Sequence, residues 1–152
     1  MARYVETSIE IDATPQNVWA VLADLPKYPE WHPMFTSVTG QLTKGSTLKI
    51  KTADASGRPM NVRVKLLSVQ PDAELRWASK MLGVTISKRT FLLTPSNGGT
   101  LLEQDGIYHG LGGTGRGAYQ GIARTMTRVQ DAFVAINEAV KRQAEARQQP
   151  PS

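Results

Sequence analysis

Between residues 36 and 109 the chain consists of short strand-like runs separated by turns too brief to hold a crossover. Parallel neighbours need a connection of roughly a dozen residues or more, so these runs must pair antiparallel. They are expected near 36–42, 47–54, 60–70, 74–80, 84–94 and 100–109. Gly45, Ser56-Gly57, Pro71-Asp72, Leu82-Gly83 and Ser96-Asn97-Gly98-Gly99 punctuate them, residue types that favour chain reversal. A further half-buried strand is predicted over 3–12, where Tyr4, Glu6, Ser8 and Glu10 alternate with Val5, Thr7, Ile9 and Ile11.

Two regions break this pattern. Thr14 can cap a helix whose first position is Pro15, where a missing N–H costs nothing. That helix runs through Val18, Trp19, Val21 and Leu22 and stops near Asp24-Leu25-Pro26. The segment 26–33 contains Pro26, Pro29 and Pro33 and holds at most a short helical turn, but its aromatics should pin it to the body. From about Thr114 to Ala146, Tyr119, Ile122, Met126, Val129, Phe133, Ile136 and Val140 recur at spacings of 3, 4, 3, 4, 3 and 4. This is the apolar stripe of one long amphipathic helix, with Arg124, Arg128, Asp131, Glu138 and Arg142 opposite.

These elements predict one α+β domain over residues 1–146, with 147–152 a disordered tail. A seven-stranded antiparallel sheet has one apolar face to cover, and a single long helix is the only large element available. One helix does not fill the concavity of a strongly curved sheet, so the expected architecture encloses a hydrophobic cavity suited to a small molecule.

Composition narrows the function classes. The chain has no cysteine, which excludes disulfides, thiolate metal sites and a cysteine nucleophile, and fits a cytoplasmic location. No stretch is long and apolar enough to span a bilayer, and the charged, alternating N-terminus is unlike a signal peptide. The net charge of +5 permits attraction to anions, but the basic residues are scattered along the sequence, so no specific nucleic-acid partner is expected. With two histidines and no recognisable ligand spacing, no metal is expected. Gly110-Leu111-Gly112-Gly113-Thr114-Gly115 satisfies a dinucleotide-binding glycine pattern, but no strand follows the helix to close a βαβ unit. It reads as a hinge that folds the last helix over the sheet.

The run Val18-Trp19-Ala20-Val21-Leu22-Ala23-Asp24-Leu25-Pro26-Lys27-Tyr28-Pro29-Glu30-Trp31-His32-Pro33 resembles the opening signature of the SRPBCC (START-like, helix-grip) superfamily, polyketide cyclase/dehydrase branch. Leu75-Arg76-Trp77, Phe91-Leu92-Leu93, Gly99-Thr100, Tyr108-His109-Gly110-Leu111 and Phe133…Ile136-Asn137…Val140-Lys141 extend the likeness over nearly the whole chain. His32 departs from it, since the family usually has asparagine there. The resemblance implies a helix-grip fold and a hydrophobic ligand, without deciding between enzyme and carrier.

Alternation determines which side chains look inward. Leu75, Trp77, Val62, Val64, Leu66, Ser87, Arg89, Phe91, Leu93, Leu102, Gln104 and Tyr108 should face the core, and Arg63, Lys65, Arg76, Glu103, Asp105 and His109 should face out. A buried Arg89 is costly unless paired, either internally or with a ligand carboxylate, phenolate or enolate. Tyr108 and Tyr119 can offer phenolic donors to a carbonyl or simply pack in the core. His32 is either an acid/base near neutrality or a structural loop histidine. The candidate catalytic set is therefore Arg89, Tyr108 and His32. The expected ligand-contacting walls are Tyr28, Trp31, Met34 and Phe35 from the loop, Val64, Trp77, Phe91 and Gln104 from the strands, and Tyr119, Ile122 and Met126 from the helix. Two readings stand: a cofactor-free cyclase or dehydratase acting as a monomer or weak homodimer, or a carrier or sensor of a lipid or hydrophobic metabolite.

Overall fold

The computed structural model describes residues 3–53, 57–81, 84–109 and 116–148, except the side chains at 80, 81, 84–86 and 116–126. Seven strands form one antiparallel sheet: β1 (Arg3–Ile11), β2 (Ser37–Thr39), β3 (Thr47–Ala53), β4 (Pro59–Gln70), β5 (Glu74–Met81), β6 (Val84–Ser96) and β7 (Gly99–Tyr108). Their spatial order is β1-β7-β6-β5-β4-β3-β2. Consecutive strands pair from β2 to β7, as short connections require, and only β1 reaches its place from far along the chain. Register shifts between Leu66 and Ser68 and between Ser79 and Lys80 are the irregularities that bend such a sheet.

Helix α1 (Pro15–Ala23) starts as its sequence dictates. Thr14 accepts a hydrogen bond from the Asn17 N–H at 3.2 Å, and Pro15 opens the first turn. A 3-10 turn (Leu25–Lys27) and the four-residue α2 (Tyr28–Trp31) follow, all that three prolines allow. The long helix α3 (Arg116–Gln148) packs mainly along β1 and α1. Val18, Leu22, Leu48, Leu66, Leu75, Leu102, Ile136 and Val140 are fully or almost fully buried between the layers.

Three expectations need correction at their edges. The strand expected over 36–42 is only Ser37–Thr39, because Gly40 turns the chain at φ +133°. A Cβ there would lie 2.9 Å from the Thr47 carbonyl oxygen. The hairpin between β6 and β7 is tighter than expected: Asn97 (φ 50°) and Gly98 (φ 80°) make a two-residue turn of primed type, and pairing runs out to Ser96 and Gly99. Arg147 and Gln148 are helical rather than part of a disordered tail. The Gln148 side-chain oxygen accepts from the Thr14 N–H (3.2 Å) and Asn17 Nδ2 (2.6 Å), while Glu145 accepts from the Asp12 N–H at 3.2 Å. The glycine-rich stretch 110–115 and residues 149–152 lie outside the described residues.

Gly99 is required for close approach rather than for its backbone angles. A Cβ on it would sit 2.2 Å from the Ile11 carbonyl oxygen, where β1 turns toward α1. Gly99→Ala is therefore expected to destabilise the fold by about 1–3 kcal/mol, the usual cost of overpacking against an unyielding neighbour. Urea denaturation checks this; an unchanged midpoint would mean that the β1–β7 corner can yield.

Candidate functional site

Strand register builds a transverse row across the concave face: Leu66 pairs with Trp77, Trp77 with Arg89, Arg89 with Gly106 and Gly106 with Val5. Arg89 is thus presented from the middle of the sheet toward α3. Its guanidinium lies 4.5 Å from the centroid of the Phe133 ring on α3 and 5.6 Å from those of Trp77 and Phe91. Gly106 makes room for this arrangement, because a Cβ there would come within 2.9 Å of both Phe133 Cζ and Tyr108 Cε2. Aromatic faces attract a cation, most strongly when water is excluded.

Among the described residues Arg89 has no carboxylate partner. Its Nη2 donates to the side-chain oxygen of Gln104, which is fully buried. Its Nε is buried with no acceptor among the described residues. Burial pulls the guanidinium below its usual pKa, opposed by the phenols of Tyr108 and then Tyr28. An arginine nevertheless keeps its proton in a protein. The fold therefore holds a cation on its concave face with one N–H unanswered, a cost of about 1–3 kcal/mol for a buried donor.

Gln104 is itself held rigidly. Its Nε2 donates to the Phe133 carbonyl at 3.2 Å and to Asn137 Oδ1 at 2.6 Å. Asn137 Nδ2 donates to Thr7 Oγ1 at 2.9 Å, and Thr7 Oγ1 donates to the Gln104 backbone carbonyl at 2.9 Å. The amide's two donors are spent on α3, so its oxygen is left to face Arg89. This network ties β1, β7 and α3 together and sets the guanidinium's position.

The loop after α2 contributes an aromatic stack. His32 and Phe35 lie 3.8 Å apart at 8°, and Tyr28 packs on Trp31 at 4.7 Å. Tyr28 is buried and donates its hydroxyl to the Leu22 carbonyl at 2.6 Å, and burial raises its pKa. His32 Nδ1 accepts from the N–H groups of Met34 (3.1 Å) and Phe35 (3.0 Å), so the neutral ring carries its proton on Nε2. Burial, and then the positive charge of Arg89, lower its pKa to about 3. His32 is thus a neutral ring that organises the turn. Tyr108, mostly sheltered, is pushed upward by burial against the opposing effect of Arg89, so it stays a phenol at neutral pH.

Arg89, Tyr28, His32 and Tyr108 therefore share one electrostatic neighbourhood, and Trp77, Phe91 and Gln104 touch Arg89 directly. Val64 is buried on the same face, one strand pair away beside Leu48, and Trp31, Met34 and Phe35 pack partly buried against the core. Tyr119, Ile122 and Met126 belong to α3, with side chains outside the described residues. Phe133 ends the apolar helix face that the sequence places on the cavity wall. One site residue escaped the sequence reading. Asn137 carried a readable signal, a carboxamide one turn after Phe133 and beside Ile136, where the stripe should be apolar. Among the described residues no group of three metal-ligating side chains gathers, and no helix is long and apolar enough to cross a membrane.

A sequence model of the family described as "Polyketide cyclase / dehydrase and lipid transport" matches residues 2–144. No curated protein matches the chain. Among solved structures, the Zhui aromatase/cyclase from Streptomyces sp. R1128 superposes with a TM-score of 0.78 at 19% identity, over 98% of this chain and 97% of that one. The di-domain ARO/CYC StfQ from the steffimycin biosynthetic pathway gives 0.78 at 14% identity over 97% of this chain and 52% of that one, so this chain spans about half its length. SA2116 from Staphylococcus aureus, a protein of unknown function, gives 0.75 at 13% identity over 98% of both chains. At such identities the likeness establishes a shared fold.

The lowered His32 pKa has a direct consequence for stability. In the unfolded chain the ring takes up a proton near pH 6.5, whereas in the folded chain it does so only near pH 3. Its contribution is complete above about pH 6.5 and is lost progressively as the pH falls toward 3. His32→Asn retains an acceptor for the two N–H groups and removes the titration. Urea midpoints measured between pH 4 and 7 should therefore fall less steeply in the variant than in the wild type. Parallel pH profiles would mean that the folded ring takes up its proton as readily as the unfolded one, so that burial does not depress it.

Proposed function

The chain belongs to the polyketide cyclase / dehydrase and lipid transport family, and from that premise we propose that it binds an apolar small molecule between the concave sheet face and α3 and closes a ring in it without a cofactor. One observation carries the reading: Arg89 is a cation on the concave face with neither a carboxylate partner nor an acceptor for its Nε among the described residues. A ligand oxygen that carries or develops negative charge would complete it. A poly-β-ketone has such oxygens at alternate carbons, set in an otherwise apolar chain. The family description, polyketide cyclase / dehydrase, supports the same substrate class.

The residues divide the work as follows. Trp77, Phe91 and Phe133 shelter the guanidinium, and the aromatic loop from Tyr28 to Phe35 supplies a rigid apolar wall that folds the chain into a reactive conformer. A methylene between two ketones loses its proton to solvent, and its electron pair forms the new C–C bond to a carbonyl carbon. The carbonyl oxygen becomes an alkoxide held by Arg89, and a proton then converts it to a hydroxyl. Loss of that hydroxyl with a neighbouring hydrogen as water gives the unsaturated ring. Tyr108, kept protonated, donates to the same oxygen. We place this activity in the cytoplasm, in a monomer or weak homodimer.

A second reading, a carrier or sensor of a lipid or hydrophobic metabolite, draws on a different observation. His32 Nδ1 and the Tyr28 hydroxyl are already engaged by backbone groups, so neither is a free base beside Arg89. Incubation with a linear poly-β-ketone thioester separates the two readings. Ring closure with loss of water, read by mass spectrometry, is expected; a tightly bound but unchanged compound would favour the carrier. Arg89→Ala should lower kcat/KM about 100-fold, the scale of one lost oxyanion donor, while circular dichroism stays native. Wild-type turnover in that variant would remove Arg89 from the mechanism.

A further inference from the structure

The convex face of the sheet carries a charge pattern that the concave site does not use. Lys49 on β3 lies directly opposite Arg63 on β4, Lys51 opposite Asn61, and Lys65 opposite Thr47. Ser37 and Thr39 of β2 complete the same rows by pairing with Lys51 and Lys49. All four cations are exposed, and together with Ser37, Thr39 and Asn61 three of them line a groove of about 380 Å³. Like charges set directly opposite each other weaken a ladder. Among the described residues the ion pairs are Arg76–Glu74 and Lys141–Glu145, so none of these four is neutralised by a carboxylate. The acids Glu6, Glu103 and Asp105 lie across the sheet on β1 and β7.

We propose that this face of β2, β3 and β4 docks a partner protein through a helix bearing a ladder of carboxylates. Same-face residues on a strand are spaced about 6.7 Å apart, and carboxylates at i and i+4 on a helix about 6 Å apart, so two successive cations match two successive acids. Every polar side chain lining the groove can donate a hydrogen bond: ammonium, guanidinium, hydroxyl or carboxamide. Single-stranded nucleic acid also offers regularly spaced anions, but its binding relies on aromatic platforms, and no aromatic residue lines this groove. A face of one sign also speeds encounter with an acidic partner, in a salt-dependent way.

The test uses the full chain and a helix-stabilised alanine-based peptide with glutamates at i, i+4 and i+8. Calorimetry should detect binding that weakens as salt rises. Lys49→Gln/Arg63→Gln should reduce affinity at least tenfold with the melting temperature unchanged or raised, since the like-charge pair is gone. Arg142→Gln/Arg147→Gln, neutralising two exposed positions on α3, should bind as the wild type does. Equal loss in both double variants, or equal binding of a scrambled non-helical peptide, would reduce the effect to net charge and overturn the proposal. Preferential binding of a thymidine 20-mer would overturn it in favour of nucleic acid.

Discussion

The concave site is organised around a single unbalanced charge. A guanidinium carried into the body of a protein ordinarily requires a carboxylate, because desolvation costs several kcal/mol. Arg89 has none among the described residues and is held by weaker means. Three aromatic rings surround it, and one carboxamide oxygen accepts from it. The aromatics offset part of the lost hydration without cancelling the positive charge. A carboxylate in place of Gln104 would neutralise the site and leave nothing for an incoming oxyanion. The carboxamide orients the cation and preserves its charge.

That arrangement explains the polar core that supports it. Gln104 can face Arg89 only if its amide nitrogen is occupied elsewhere, and the Phe133 carbonyl and Asn137 occupy it. Asn137 in turn is satisfied by Thr7 on β1, which also closes onto Gln104's own backbone. The same bonds dock α3 on the sheet, so the helix that roofs the concave face and the residue that orients the cation are set together. Gly106 completes the device by omission, leaving the volume that Phe133 and Tyr108 fill. A fully satisfied buried network of this kind specifies one packing over its alternatives.

His32 illustrates how environment decides a residue's role. By type it is the side chain most suited to proton transfer near neutrality. Here it is buried near the Arg89 cation, and its Nδ1 accepts two backbone N–H groups, all of which favour the neutral ring. The imidazole therefore shapes the proline-rich loop, giving a segment with few possible backbone hydrogen bonds a defined turn.

What the sequence determined by itself is what depends on near neighbours along the chain. Alternation put Arg89, Gln104 and Tyr108 on the inner face, short turns made the pairings from β2 to β7 antiparallel, and the 3–4 spacing identified α3. Each rests on a local period of two or 3.6 residues, which no distant contact is needed to establish. The tertiary structure alone decided what surrounds those side chains. Thr7 and Gln104 are 97 positions apart and Gln104 and Asn137 are 33 apart, so the network that leaves Arg89 charged has no local signature. The same holds on the outer face. Lys49 and Arg63 look like two of many scattered basic residues until register sets one opposite the other. Periodicity says which way a side chain points, and only the folded register says what it meets there.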